Sequence, residues 1–438
     1  MNRFETTPSP LQTHITIYGR PLDAVNSETI GGGNRFLSDV FNSNANHGWP
    51  VELVTNAPDG VIYQAGPETR ATLSGGLYVR PGVVRLDFTP ERNKGGIPLL
   101  LADNNILERA SIMLGELLRN REHRYAIPIA HHYTSAYVLG TVLHLDKPVV
   151  VVPHALNIFR DSAHGGELDD RKPWSSDVSE LYSLFRAALI VLPTHAEKEN
   201  MQAMWQKALQ TSQIPPELQQ AFQRMLSRCV IIPWGVDHEL FNPDLQDKQR
   251  KMEVRKKLKL PLNSELMFGV VGRVVPLKNI KTAIDAFSAV MAAYPGKNLH
   301  LVIFGGDIKD LRERHSYMRE LQKRVSKKNP ELRRRIIFAG THDPVDIMAA
   351  IDVHISASFS ESWGLAVTEA MATGIPSIVS DNSVMQEVTG GKQLYFDPHN
   401  YHELARQMIE LIKHQDLAQA VGRQGLQVAQ EYSWTKTT

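Results

Sequence analysis

The chain has 438 residues, of which 42% are hydrophobic and 22% charged, as in an ordinary globular protein. That length exceeds a typical single core, so two domains are expected. Its 48 Lys and Arg residues balance 47 Asp and Glu residues, which gives no bulk reason to expect nucleic acid as a partner. The single cysteine excludes an internal disulfide and fits a reducing compartment.

Short β-branched runs alternate with longer helical patterns along the whole chain. In the first half the predicted strands are Ile15–Tyr18, Val51–Thr55, Tyr125–Ala130, Pro148–Val152, Leu189–Leu192 and Val230–Ile232. In the second half they are Met267–Val271, His300–Phe304, Ile336–Ala339, Val353–Ser356, Ser377–Val379 and Gln393–Phe396. Predicted helices between them include Asn104–Leu118, Ser175–Arg186, Ile280–Ala293 and Leu365–Ala372. This alternation predicts an α/β protein with two doubly wound, parallel sheets.

The break between the two predicted sheets lies near Pro233–Pro243, which charge-rich residues 244–259 follow. We therefore expect domains at 1–243 and 244–425, with a tail at 426–438. Ligands of open α/β sheets bind beyond the carboxyl ends of the strands. Two facing sheets therefore predict a cleft lined by residues that directly follow strands.

Targeting and membrane signals are weak. Residues 1–13 are polar, and no apolar stretch approaches the ~18–20 residues that span a bilayer. A cytoplasmic location is therefore expected. Two basic clusters, Lys251–Lys259 and Arg333–Arg335, are interpreted as solvated helix faces, with peripheral contact to an anionic membrane as the alternative. Cys229 opens an apolar run and is expected to be a buried strand residue rather than a nucleophile.

The strongest functional signal is Glu361-Ser-Trp-Gly-Leu-Ala-Val-Thr-Glu369, between a predicted strand and a helix that starts near Gly364. Free N–H groups at a helix start bind phosphate, and glycine lets an anion approach the backbone closely. Glu369, about one turn into the helix, can accept both hydroxyls of a ribose, and Glu361 can meet a transferred sugar. Taken singly, each glutamate would be a solvated surface acid; the surrounding pattern favours function.

A second motif, Gly269-Val-Val-Gly-Arg273 followed by Lys278, places two cations after the first strand of the second half. Such cations can clamp a diphosphate and stabilise it as it leaves; ordinary surface cations are the alternative. The chain contains no Asp-x-Asp triplet of the kind that holds a divalent metal on a donor diphosphate. Fixed cations are therefore expected to replace the metal, and no cofactor is expected.

Further candidates follow predicted strands of the first half. The triple glycine Gly31–Gly33 suits close backbone approach to a phosphate or sugar, with a flexible surface loop as the alternative. His154 follows a buried strand and can bind a sugar hydroxyl, or it can be structural. His131, His132 and Tyr133 end another strand and face the predicted cleft. Adjacent histidines do not share one face of a strand, so a zinc site is not expected there.

In this order, the motifs resemble those of the large retaining group of GT-B glycosyltransferases that includes sucrose synthases and sucrose-phosphate synthases, the glycosyltransferase family 4 type. The resemblance extends from Gly31 to about Met408, and Ile232–Pro243 is similar to the family's interdomain signature. It implies two Rossmann-like doubly wound domains facing across a cleft. It also implies retaining transfer of a hexosyl group from a nucleotide-diphosphate sugar, with UDP-sugar favoured, to a hydroxyl acceptor, without a divalent metal.

The resemblance also implies roles for individual residues. Arg273 and Lys278 would hold the donor diphosphate, and Glu369 would bind the ribose. Glu361 and His154 would lie against the donor sugar near the reacting carbon. The other donor-binding residues that it implies are Gly32, Gly33, Ser362, Trp363, Gly364 and Leu365, with His132 and Tyr133 on the acceptor side.

Two features depart from the family pattern. Ser135 stands where Asp is usual and Tyr137 where Gly is usual, which argues against a sucrose-type acceptor pocket. Members often continue past the position of Thr438 with a final helix to the first domain, so that helix is expected to be short or truncated. The alternatives to a transferase are a nucleotide-sugar epimerase or phosphorylase on the same fold, and a non-catalytic nucleotide-sugar-binding protein.

Overall fold

The computed structural model describes residues 149–153, 183–211, 216–306, 312–328 and 330–437, and before them the backbone of strands between residues 14 and 131. The described strands form two sheets. The strands of the first are β1 (His14–Tyr18), β2 (Val51–Asn56), β3 (Ala71–Leu73), β4 (Leu77–Arg80), β5 (Val83–Leu86), β6 (Ala126–His131), β7 (Val150–Val152), β8 (Leu189–Leu192) and β9 (Cys229–Ile231). Those of the second are β10 (Leu266–Val271), β11 (Leu299–Phe304), β12 (Ile336–Gly340), β13 (Val353–Ser356), β14 (Ser377–Ser380) and β15 (Leu394–Phe396).

The first sheet has the strand order β3-β4-β5-β2-β1-β6-β7-β8-β9. From β5 to β9 in this order, neighbouring strands run parallel, as the alternation of strands and helices predicts. At the other edge β3, β4 and β5 are antiparallel, so the prediction of a wholly parallel sheet is wrong there. Only Pro81 and Gly82 separate β4 from β5, too few residues for the crossover that parallel neighbours need.

The second sheet is parallel throughout, with the order β12-β11-β10-β13-β14-β15. This is the Rossmann-type order, in which the chain builds outward from β10 to one edge and then from β13 to the other. The predicted α/β class is therefore confirmed. The site lies where the two directions diverge.

Within the described residues, helices lie between all consecutive strands from β8 onward. The helices are α1 (His195–Thr211), α2 (Pro216–Ser227), α3 (Lys248–Lys257), α4 (Ile280–Ala293), α5 (Arg312–Ser326), α6 (Pro330–Arg335), α7 (Pro344–Ala350), α8 (Leu365–Ala372), α9 (Ser383–Val388), α10 (Tyr401–Lys413), α11 (Gln415–Ala429) and α12 (Trp434–Thr437). The bounds predicted for α4 and α8 are those observed. The predicted helix Asn104–Leu118 lies outside the described residues, and of Ser175–Arg186 only residues 183–186 are described, as helix.

The second sheet has a hydrophobic cluster on each face. Successive strand residues point to opposite faces, so Met267 of β10 joins one cluster and Phe268 the other. Both side chains are fully buried. This explains why the strands of a parallel sheet covered on both sides are apolar throughout.

Two segments that cross between the domains pair with each other. Val236 bridges Ser433 in parallel, and the Thr437 hydroxyl donates to the Pro233 carbonyl at 2.8 Å. A Cβ on Gly235 would overlap the backbone of Trp434, so only glycine allows this approach. We call residues 233–236 and 432–437 the crossing segments. The domain boundaries themselves stay a prediction.

Cys229 occupies the first position of β9 and is buried, as expected from the sequence. Burial raises the pKa of its thiol to about 11, against the smaller opposing effects of Lys198 and Arg228. A thiol that stays protonated is a poor nucleophile, which supports a structural role.

Candidate functional site

The candidate site lies at the carboxyl ends of β10 and β13, the central strands of the second sheet. The loops that leave these neighbouring strands lead to opposite edges of the sheet, and the crevice between such loops is the usual ligand position. Arg273 and Lys278 follow β10, and Glu361 and Gly364 follow β13. The fold therefore brings together the strand ends that carry the two strongest motifs.

Close backbone packing shapes the loop after β10. Gly272 has a φ of +146°, and a Cβ on Gly305 would overlap the Gly272 carbonyl oxygen. The side chain of Lys278 lies over Gly272, with Cε 3.5 Å from the position that a Cβ would take. Next in the chain, the buried Asn279 has a left-handed φ of +48° and donates from Nδ2 to the Pro398 carbonyl at 2.8 Å. These contacts fix the backbone on both sides of Lys278.

An ion pair joins the two loops. Nζ of Lys278 donates to Oε1 of Glu361, and the Ser358 hydroxyl donates to the same oxygen at 2.6 Å. The Phe359 amide also donates to the Leu277 carbonyl at 3.0 Å. The side chains of Lys278 and Glu361 remain 20% and 14% exposed, so solvent reaches the pair. The sequence predicted both residues at the site, but not that they contact each other.

Helix α8 begins beside this pair with its amide end towards the crevice. Its N-cap, Gly364, has φ +95° and ψ +60° and supplies no side-chain cap, while the first N–H groups of any helix lack intrahelical acceptors. A side chain at Gly364 would be strained and would come within 2.9 Å of Met385 Cε. Glu369 lies one turn further along α8 and is 3% exposed.

The side chain of Trp363 faces the core rather than the crevice. It is 2% exposed and packs edge-on against Tyr432, with ring centroids 4.8 Å apart. Ser362 is also buried. Because the Trp363 ring is packed in the core beneath the start of α8, the predicted donor contacts of this residue are restricted to its backbone.

A neutral histidine lies beneath the ion pair. His354 of β13 has no exposed surface, and Nδ1 is 3.3 Å from the Ser377 hydroxyl. Burial lowers its pKa to about 3; Lys278 lowers it further and Glu361 opposes the shift. His354 therefore adds no positive charge to the site at neutral pH. Sequence reasoning did not identify it, because its position in an apolar strand resembles any core residue.

The candidate residues of the first half lie outside the described residues. They are Gly32, Gly33, His132, Tyr133 and His154. The strands before the last three are present, since β6 ends at His131 and β7 at Val152. The roles of these residues stay predictions.

Glu387, a residue that sequence reasoning missed, connects the two halves of the chain. Its carboxylate accepts from the amides of His195 at 2.8 Å and Ala196 at 2.7 Å, at the start of α1. One turn further along α1 and one turn earlier in α9, Nδ2 of Asn200 donates to the Ser383 hydroxyl at 3.3 Å. No local pattern could reveal these contacts, because 192 residues separate Glu387 from His195.

Among the residues that the structure describes, no helix has the length and apolar character to cross a membrane. In the same part of the chain, His, Cys, Asp and Glu side chains form no group of three or more that could hold a metal ion.

Comparison with known proteins agrees with this fold. The chain is 23% identical to a D-inositol 3-phosphate glycosyltransferase of Corynebacterium urealyticum, over 97% of this chain and 92% of that one. Sucrose-phosphate synthase from Thermosynechococcus elongatus superimposes with a TM-score of 0.70 at 19% identity, over 96% of this chain and 95% of that one. Anabaena HepE in complex with UDP-glucose superimposes with a TM-score of 0.62 at 16% identity, over 97% of each chain.

The fold and these similarities define a glycosyltransferase with the GT-B architecture, in which two Rossmann-like domains are combined. Residues 251–428 match the family Glycosyl transferases group 1. The chain is thus similar to GT-B glycosyltransferases of the family 4 type, in agreement with the resemblance of its motifs.

Proposed function

We propose that the protein is a retaining glycosyltransferase that moves a hexosyl group from a nucleotide-diphosphate sugar to a hydroxyl acceptor without a divalent metal. The observation that carries the proposal is the meeting of Lys278, Glu361 and the amide end of α8 at the carboxyl ends of β10 and β13. Arg273 leaves β10 at the same edge. Fixed cations and helix amides are the groups that bind phosphate oxygens.

The donor diphosphate would bind between Arg273, Lys278 and the first amides of α8. Because the Lys278–Glu361 pair is reached by solvent, Lys278 can turn its ammonium donors towards phosphate oxygens. Glu361 then becomes available to accept a hydrogen bond from a sugar hydroxyl. Glu369, further along α8, is proposed to bind the ribose. Binding thus exchanges an internal ion pair for contacts with the donor.

The proposed chemistry needs no side-chain base. The bond between the anomeric carbon and the diphosphate oxygen breaks, and its electron pair stays on the diphosphate. The acceptor oxygen bonds to the same carbon on the face that the diphosphate leaves, and its proton passes to a diphosphate oxygen. Arg273, Lys278 and the α8 amides stabilise the negative charge that develops, which is the main source of the rate enhancement.

The relatives support the choice of substrates to test. One structural neighbour is a complex with UDP-glucose, which favours a uridine nucleotide. Several relatives bear the names of phosphorylated compounds, among them D-inositol 3-phosphate glycosyltransferase, mannosylfructose-phosphate synthase and sucrose-phosphate synthase. Phosphorylated polyols and sugars are therefore the first acceptors to try.

The decisive experiment is a product assay. Purified protein is incubated with UDP-glucose and other nucleotide sugars, with and without each acceptor, and products are followed by NMR. We expect a new glycoside, only when acceptor is present, with the anomeric configuration of the donor. An inverted product would refute the retaining mechanism, and a changed sugar nucleotide without acceptor would indicate an epimerase.

A further inference from the structure

Helix α9 contacts the first domain on one side. On the other side it contacts the turn at Trp363 and Gly364 before α8, which we call the Gly364 turn. Ser383 and Glu387, one turn apart, face α1. Met385 and Val388 belong to the opposite face and are buried in the second domain. This short helix is therefore shared between the interdomain contact and the proposed donor site.

The contact with α1 is a strong one for its size. Both carboxylate oxygens of Glu387 are used, one on the amide of His195 and the other on the amide of Ala196. These amides begin a helix of 17 residues, whose N-terminus carries partial positive charge. Hydrogen bonds to an ionised acceptor are about twice as strong as neutral ones. Glu387 thus ties the two domains by charge as well as by geometry.

Helix α9 contacts the Gly364 turn both directly and through Tyr432. Directly, Met385 packs against Gly364, the residue from which α8 starts. Indirectly, the Val388 carbonyl accepts from the Tyr432 hydroxyl at 3.0 Å, and the Tyr432 ring packs on Trp363. Because Trp363 and Gly364 are consecutive, a shift of α9 displaces the turn from two sides.

We infer that Glu387 is a positioning residue for donor binding: by holding α9 against the first domain, it keeps the Gly364 turn in the geometry that receives the diphosphate. The inference rests on the proposed function, because it takes the turn to be the donor site. It makes nucleotide affinity and the interdomain contact interdependent. Weakening the contact should then weaken binding at a turn that Glu387 does not touch.

The test compares Glu387→Ala and Glu387→Gln with Glu265→Ala. Glu265 is a matched control because its carboxylate also accepts a backbone amide, that of Asn298 at 3.0 Å, at the opposite edge of the sheet. We expect Glu387→Ala to raise the Kd for UDP and the KM for donor about tenfold, with kcat changed far less. Glu387→Gln should show part of the effect, and it carries the test if the alanine variant does not fold.

Titration calorimetry with UDP and steady-state kinetics give the readouts. Values for Glu387→Ala within twofold of those for Glu265→Ala would overturn the inference. If the wild-type protein itself binds no nucleotide, the proposed function is at fault rather than the contact. Small-angle scattering then decides: a wider spread of domain separations in Glu387→Ala than in Glu265→Ala supports the tie, and equal spreads refute it.

Discussion

The amino ends and the carboxyl ends of the strands in the second sheet, here called its amino edge and its carboxyl edge, carry similar charged groups in different surroundings. At the amino edge, Asp352 accepts from Lys251 at 2.6 Å, from Arg255 at 2.7 Å and from the Met267 amide at 2.7 Å. At the carboxyl edge, Glu361 accepts from Lys278 and Ser358. Both clusters pair carboxylates with cations between a strand end and an adjoining element.

The difference lies in what each cluster adjoins. Arg255 is 4% exposed and also donates from Nε to the Ala350 carbonyl at 2.8 Å, so the amino-edge cluster fixes α3 onto the sheet. The carboxyl-edge pair, whose side chains are about as exposed as those of Lys251 and Asp352, instead adjoins a helix start without a side-chain cap. Similar ionic chemistry therefore fixes a helix onto the sheet in one cluster and lies beside an uncapped helix start in the other, where we propose that the donor binds.

The largest expected effect is on turnover, at the carboxyl edge. Arg273→Ala combined with Lys278→Ala should lower kcat by about a thousandfold or more, because the departing diphosphate loses its cations. The melting temperature should change little. The control removes two exposed lysines elsewhere, Lys257→Ala with Lys297→Ala. Wild-type turnover of the first double variant at saturating donor would end the assignment of the clamp.

The next effect is on stability, at the amino edge. Asp352→Ala should lower the free energy of unfolding by about 3–5 kcal/mol, because it leaves the buried Arg255 guanidinium without its carboxylate. Urea denaturation measures this change. Below the melting transition, the KM for donor should equal that of the wild type. A selective change in KM without loss of stability would erase the distinction between the edges.

A smaller effect is expected for Glu369→Ala, which should raise the KM for donor by roughly tenfold to a hundredfold through the loss of hydrogen bonds from the ribose. A 2′-deoxyribose donor sharpens the test. The wild type should discriminate against it, and the variant should not. Equal discrimination by both proteins would remove the ribose from the role of Glu369.

Acid should destabilise the protein through buried histidines near each edge. Burial lowers the pKa of His354 to about 3 and that of His300 to about 4, from 6.5. As the pH falls, the unfolded chain takes up these protons at a higher pH than the folded protein does. The two histidines therefore leave the free energy of unfolding unchanged above pH 6.5. Below that pH they lower it by up to about 1.4 kcal/mol per pH unit for each histidine. Between pH 7 and pH 5.5, the urea midpoint should fall less for His354→Leu than for the wild type. An unchanged loss would contradict the assignment.

The smallest expected effect is none. If fixed cations and amides alone neutralise the diphosphate, excess chelator should leave kcat and KM within error of the untreated enzyme. The assay needs a chelator-sensitive enzyme run in parallel as a positive control. Complete loss of activity that magnesium restores would replace the metal-free picture.

Local patterns predicted most of the second sheet, because apolar strands with strong turn signals are encoded by neighbouring residues. The hairpin edge of the first sheet was missed although Pro81-Gly82 between two short β-rich runs is a hairpin signal. At the site, the strand-end rule placed Lys278 and Glu361 correctly at one edge of the sheet. Their mutual ion pair, the burial of the Trp363 ring and the Glu387 contact depend on tertiary packing across many residues, which no local pattern encodes.

The burial of Cys229 has a practical consequence for measuring domain motion. Since the chain has one cysteine and burial holds its thiol protonated, with a pKa of about 11, maleimide dyes should react with it slowly at neutral pH. Exposed cysteines added on either side of the cleft can therefore be labelled selectively while the native residue stays in place. Fluorescence energy transfer between such dyes would follow opening and closing in real time.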